Sequence, residues 1–510
     1  MAQTATAGQS RALRGAFRVF SAIERVGNML PHPFWLFCIL GVFVVLLSAA
    51  LEAAGVSALK PGSDEAVAVR SLLSPEGIQV ILGDAVENFA SFPPLASILT
   101  TMLGIAVAEK SGLIDTVLRN TVTRVPTKYV TFALAMAAMI GHVAGDAAYV
   151  TLIPLGALVF KAVGKPPMLG AIVAFVSISA GYDASPSVTT TDVLLSGITT
   201  AAAATIDPDV MVSPLSNYFF SLASSVVVAL VITIVVEKVL SKRPDLASDD
   251  DAEDDGASLA DLRIGARERR ALRAAGIAAV AFIALAVGVL VPESSPFRGE
   301  EGSILKSPVL GGMAFVIGLF FIVTGWLYGR MAGTFRSASD VLAGMVDGFR
   351  SMAPILVLFF AISQFIAYFK WSGMGEVLAI SGAHTLDDIN APGWAILLGI
   401  AVLISVMNFI ITSGSAMWSL AAPVFVPMLM LLDIDPATTQ AMYRVADSVT
   451  NCVTPMSPYF VMALGFVQKY RKDAGIGTLA SFTIPLAAVV WVVWIALFMV
   501  WYAAGIPFGI

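Results

Sequence analysis

PGWAILLGIAVLISVMNFIITSGSAMWSLAAPVFVPMLMLL, residues 392–432, decides how this 510-residue chain is read. The stretch is long enough for two helices, since crossing the hydrocarbon core takes about 20 apolar residues. No polar loop separates the two; only Thr412-Ser413-Gly414-Ser415 interrupts the middle. It reads as two helical arms meeting inside a membrane, a re-entrant hairpin. Non-helical backbone at that depth persists only where protein or a wet cavity satisfies it. Residues 129–160 repeat the pattern, with the break at Gly145-Asp146.

The composition agrees. Hydrophobic residues make up 57% and charged residues 13%, against about 45–50% and about 25% in ordinary globular chains; mean hydropathy is +0.85. The formal charge of −6, from 36 acids and 30 bases, excludes a basic nucleic-acid surface. Two cysteines, Cys38 and Cys452, make no disulfide framework. Three histidines (His32, His142, His384) make a His-rich metal site a poor reading, and His142, in an apolar run, reads as a core residue. What remains is an all-α polytopic membrane protein.

Nine further apolar stretches read as spans: 34–51, 89–108, 168–196, 213–236, 274–291, 308–329, 348–369, 436–464 and 484–501. The expectation is nine crossings plus two hairpins. With the N-terminus inside, 23 lysines and arginines fall on inner segments and 5 on outer ones, with Arg350 and Arg444 left at an edge and within a span. That bias is the positive-inside rule, and it puts the C-terminus outside. The organisation expected is a cytoplasmic segment 1–26, a first membrane repeat 27–236, a charged cytoplasmic linker 237–273 with the acidic run 249–255, and a second repeat 274–510.

The two halves align. At an offset of 269, Gly145 meets Gly414, Tyr149 meets Trp418, and Ser179 meets Ser448; Pro154, Pro167 and Pro186 meet Pro423, Pro436 and Pro455. At an offset of 260, Phe89, Ser91 and Pro94 meet Phe349, Ser351 and Pro354. These last belong to the second and seventh crossings, so the repeats face opposite ways. Inverted repeats are the mark of secondary transporters, which bind solute and ion near the midplane where broken helices meet.

Two spans carry such breaks, at Gly181-Tyr182-Asp183-Ala184-Ser185-Pro186 and Thr450-Asn451-Cys452-Val453-Thr454-Pro455. Proline has no N–H and clashes with the preceding turn, which frees carbonyls. With Asp183, Ser185, Asn451 and Thr454 these oxygens suit Na⁺; Asp146 at a hairpin tip is a further ion candidate or a cap. The alternative is an ordinary proline kink, but paired breaks, each after a hairpin, favour a site. Intramembrane charges are costly and therefore informative. Arg444 and Asp447 lie three apart on one helix face, so they form a structural pair, or Arg444 offers its planar fork to a substrate carboxylate while Asp447 holds it or carries a proton. Asp192 follows the hydroxyl run Thr189-Thr190-Thr191. Trp418 is either packing or an aromatic platform for a flat substrate.

The run Asn408 to Trp418, then Ala422 to Met428, Tyr443-Arg444-Val445-Ala446-Asp447-Ser448 and Thr454-Pro455, resembles the AbgT family of p-aminobenzoyl-glutamate transporters; so do residues 144–149, 153–155, 192–199 and 363–365. The resemblance extends from about Gly27 to the C-terminus. It implies a homodimer in the bacterial inner membrane, with nine spans and two hairpins per subunit amid lipid. It also implies a substrate site at Asp192, Asn408, Ser415, Trp418, Pro436, Arg444 and Asp447, and a substrate of the p-aminobenzoyl-glutamate or sulfonamide antimetabolite class. The sequence departs from the family at Val193, usually proline, and at Met417, where a basic residue is common.

The expected function is therefore ion-coupled alternating access, driven by Na⁺ or H⁺, with no other cofactor. A di- or tricarboxylate carrier is the rival within the class and a passive channel the rival outside it. An enzyme is disfavoured because the chain has no HExxH and no GxSxG elbow.

Overall fold

In the computed structural model the described residues are 31–59, 66–123, 125–145, 147–243, 246, 263–299, 302–304 and 307–510. Segment 1–26, the acidic run of the linker and Asp146 lie outside them. The fold is helical, apart from a two-stranded antiparallel hairpin, β1 (Ser57–Leu59) with β2 (Ala66–Ala68), in register Ser57 to Ala68.

The first half runs α1 (Pro33–Ala53), α2 (Pro93–Lys110), α3 (Leu113–Thr123), α4 (Val130–Gly141), α5 (Ala147–Ala162), α6 (Pro167–Ala180), α7 (Thr190–Ala203) and α8 (Tyr218–Lys238). The second runs α9 (Ala266–Gly288), α10 (Met313–Ala332), α11 (Ala338–Trp371), α12 (Met374–Asp388), α13 (Gly393–Met407), α14 (Gly414–Met430), α15 (Pro436–Thr450), α16 (Pro458–Gln468) and α17 (Ile476–Ala503). Each long apolar stretch of the sequence is helical. Stretches 168–196 and 436–464 each divide into two helices, α6/α7 and α15/α16, at the expected breaks. Two helices longer than ten residues went unforeseen. The α3 and α12 segments follow their span in each half and are too polar to read as crossings. Span 348–369 is longer than expected because Ser337 and Asp340 form a capping box that starts α11 ten residues earlier.

Among the described residues, seven helices are long and apolar enough to cross a membrane, or eight if α2 and α3, bent 63° at Ser111-Gly112, count as one. Helix ends follow local chemistry. Proline occupies the first helical position of α1, α6 and α15, where its missing N–H costs nothing. Gly333 closes α10 in the left-handed region at φ 84°.

Backbone packing is close where small residues face each other, as expected without a hydrophobic drive between helices in lipid. A Cβ on Gly104 of α2 would sit 2.0 Å from the Gly318 carbonyl of α10. Gly156 of α5 and Gly170 of α6 meet equally closely: a Cβ on either would lie 2.5 or 2.2 Å from the other's carbonyl oxygen. α9 is at the other extreme, burying only Ala271 and Ala275.

Candidate functional site

The site grows from the two helix breaks, which touch. The Asp183 amide in the first break donates to Ser448 Oγ on α15 (3.2 Å), and that hydroxyl lies 3.1 Å from Asp183 Oδ2 and 2.7 Å from the Arg444 carbonyl. The next helix, α7, begins with a capping box: Thr189 Oγ1 accepts from the Asp192 amide, and Asp192 Oδ2 accepts from the Thr189 amide at 2.6 Å and its hydroxyl at 2.8 Å. The cap leaves Oδ1 of Asp192 aimed at α15, where it accepts from Arg444 Nη1 at 2.6 Å. Arg444 Nη1 also lies 3.9 Å from Asp183 Oδ1.

Arg444 is 2% exposed. Its charge is matched across the halves, by a residue 252 positions away, not by Asp447 one turn on. The sequence reading of an Arg444–Asp447 structural pair is therefore replaced by an Arg444–Asp192–Asp183 cluster. Buried charges persist only when paired and hydrogen-bonded. Here the pairing is incomplete: Arg444 Nε and Nη2 and Asp447 Oδ1 are buried without hydrogen-bond partners.

The second hairpin tip is tied to the second break. Asn408, ending α13, donates from Nδ2 toward the Asp447 carbonyl (2.6 Å), Thr450 Oγ1 (2.8 Å) and Asn451 Oδ1 (2.9 Å). Tyr443 donates to the Gly414 carbonyl at 2.6 Å. Trp418 stacks on Tyr443, centroids 4.3 Å apart, and donates from Nε1 to Thr199 Oγ1 at 2.9 Å; Thr199 in turn donates to Gln440 Oε1 at 2.6 Å. Trp418 is 0% exposed, so it packs behind the tip.

A cavity of about 610 Å³ lies in front of these groups, within the range of small-molecule sites. Both tips line it (Gly145; Ser413, Gly414, Ser415), as do both breaks (Tyr182, Asp183; Asn451, Ser457) and Asp447. It extends to Glu109 and His32, at the end where α2 finishes and α1 starts. Of the expected site residues, Asp183, Ser415, Asp447 and Asn451 reach it. Asp192, Asn408, Trp418 and Arg444 form the layer behind. Ser185 and Thr454 are buried in the breaks, near Ser187 Oγ (3.2 Å) and donating to the Phe409 carbonyl (3.0 Å) respectively. Pro436 starts α15 a helix length from the break, about 20 Å at 1.5 Å per residue. Tyr149, Tyr182 and Tyr459 line the cavity and were not singled out from sequence; the alignment of Tyr149 with Trp418 was the available signal. Among the described residues no cluster of three or more His, Cys, Asp or Glu gathers to hold a metal.

The family model of the AbgT transporters matches residues 18–510. The chain belongs to the AbgT transporter family. It is 36% identical over 494 residues to the p-aminobenzoyl-glutamate transport protein of Escherichia coli (strain K12), covering 96% of each chain. The crystal structure of the Alcanivorax borkumensis YdaH transporter is similar at a TM-score of 0.87 and 38% identity, over 94% of this chain and 100% of that one. The Neisseria gonorrhoeae MtrF structure, described as illuminating a class of antimetabolite efflux pumps, is similar at 0.91 and 37%, over 95% and 97%. This AbgT member is accordingly a multi-pass membrane transporter, and its relatives are named as transporters, not enzymes.

Proposed function

We propose that this AbgT protein is a secondary carrier of a small aromatic carboxylate of the p-aminobenzoyl-glutamate class, or of related sulfonamide antimetabolites, working by alternating access. One observation carries the reading: four half-helices begin at a single cavity. Gly145 precedes α5, Thr190 starts α7, Ser413 caps α14 and Ser457 immediately precedes α16, and all four line it. The unsatisfied N–H groups and positive dipole ends of such starts attract anions. Among the described residues the cavity wall holds no lysine or arginine but does hold Asp183, Asp447 and Glu109. A carboxylate ligand there is best served by the helix starts together with a co-bound cation, Na⁺ or H⁺, near Asp447 and Asn451.

The helix order supports nine crossings, counting α6/α7 and α15/α16 as one each, with α4/α5 and α13/α14 as hairpins in an inverted repeat. The lysine and arginine bias supports an inner N-terminus, in which case the cavity, which reaches the start of α1 and the end of α2, faces the cytoplasm in this state. A homodimer in the lipid of the bacterial inner membrane completes the proposal. Three tyrosines on the cavity favour an aromatic solute over a di- or tricarboxylate. The test is proteoliposome flux of labelled p-aminobenzoyl-glutamate under imposed Na⁺ and H⁺ gradients. Accumulation above equilibrium with either gradient is expected; equilibration alone, indifferent to both, means a channel.

A further inference from the structure

We infer that His142 latches the first hairpin tip to the break between α6 and α7, as Asn408 latches the second tip to the break between α15 and α16. It is a positioning residue of the cavity, not core filling. The geometry carries the latch itself, and its consequence for uptake rests on the carrier reading above.

Both residues come directly after an arm: α4 ends at Gly141 and α13 at Met407. Both are buried. His142 Nε2 lies 2.8 Å from the Ile178 carbonyl, and Asn408 Nδ2 lies 2.6 Å from the Asp447 carbonyl. Ile178 and Asp447 are aligned at the offset of 269, so the two side chains choose matching acceptors. Each acceptor sits in the last turn of its helix, where carbonyls have no partner further along. A second contact repeats the match. The centroid of the His142 ring lies 5.4 Å from that of Tyr182, and Asn408 Nδ2 reaches Asn451 Oδ1 at 2.9 Å. Tyr182 and Asn451 are aligned at the same offset. The remaining polar atoms match as well: His142 Nδ1 and Asn408 Oδ1 are both buried without a hydrogen-bond partner.

The sequence alignment hides this pairing because it sets Asn408 against Met139. The tips differ in length. Gly145 comes three positions after His142, and Gly414 six after Asn408. The first arm therefore runs about one turn closer to its glycine before the latch residue appears. A carbonyl only accepts, so His142 Nε2 carries a proton and donates. A side chain that merely filled space would have no reason to select the carbonyl aligned with that of Asp447. An unpaired buried acceptor costs stability, and both tips carry one at the latch.

The test is hydrogen–deuterium exchange of the full-length protein in lipid nanodiscs, read by mass spectrometry. The Gly145 amide, bonded to the His142 carbonyl at 3.0 Å, reports on the first tip. His142→Leu is expected to speed exchange there about tenfold, the scale of one lost hydrogen bond, and to leave the second tip within about twofold. Asn408→Leu is expected to do the reverse. His142→Gln keeps a donor and is expected to restore the wild-type rate. Faster exchange at both tips of His142→Leu, faster exchange at neither, or no rescue by His142→Gln overturns the latch. In proteoliposomes, His142→Leu is expected to raise the KM for p-aminobenzoyl-glutamate several-fold, with His142→Gln near wild type. An unchanged KM overturns the positioning role. Wild-type protein without uptake overturns the carrier reading, and the exchange contrast still decides the latch.

Discussion

Positions 269 residues apart align in the sequence but differ in chemistry. Tyr149 and Phe175 are neighbours in the first half; their counterparts in the second are Trp418 and Arg444. Ile178 corresponds to Asp447, and Met139 to Asn408. The first half thus supplies an aromatic ladder where the second supplies a guanidinium, a carboxylate and an amide. In exchange, the first half contributes Asp183 and Asp192, whose counterparts are Cys452 and Val461. Among the described residues the first half brings two carboxylates to the charged cluster and no cation. Arg444 is paired because α7 brings Asp192 across to it, so the charged cluster doubles as a clasp between the two halves of the chain.

Removing the clasp is the sharpest way to break this contrast. Arg444→Ala leaves Asp192 and Asp183 buried without their counter-charge, which costs about 3–5 kcal/mol. A large fall in the detergent melting temperature and loss of uptake are expected. Adding Asp192→Leu should recover much of the melting temperature and none of the uptake. Full stability of Arg444→Ala alone would mean that the pairing is dispensable. Next in size is Trp418→Phe, which keeps the stack on Tyr443 but leaves Thr199 without its donor, for about 1–2 kcal/mol. Trp418→Ala should lose several-fold more activity than Trp418→Phe in an uptake assay, because it also removes the packing that holds the tip. The smallest effect is expected at Ser179→Ala. Ser179 reaches the Tyr149 hydroxyl only at 3.4 Å, so stability should change by under about 0.5 kcal/mol. A loss matching that of Trp418→Phe would erase the distinction between the two aromatic positions.

Much of the architecture was legible because its signals are local. Pro186 and Pro455 mark the breaks, and Ser413-Gly414-Ser415 marks the second tip, since proline and glycine disfavour a continuous helix. The contacts that define the site are not local. Spacing on α15 shows that Arg444 and Asp447 share a face; it says nothing of Asp192, which arrives from another helix. Burial of Trp418 was likewise illegible. A tryptophan beside a tip can face the cavity or the interior, and the choice is made by Thr199, 219 residues earlier. The tyrosines of the cavity were missed for the complementary reason: Tyr459 follows Pro458, where a sequence reading sees only a helix start. Prolines also mislead, since Pro154, Pro354, Pro423, Pro427 and Pro485 sit inside helices that continue through them.

The glycine contact between α5 and α6 bears on how such a machine moves. With each backbone resting against the other's carbonyl, the returning arm and the start of the broken helix are locked together, and sliding one past the other would drive atoms into overlap. Under the carrier reading proposed above, a switch in which side is open would carry them as one block, with the displacement taken up at looser seams. Substituting Gly156 with a bulkier residue would jam the block internally before it obstructed the path of the cargo.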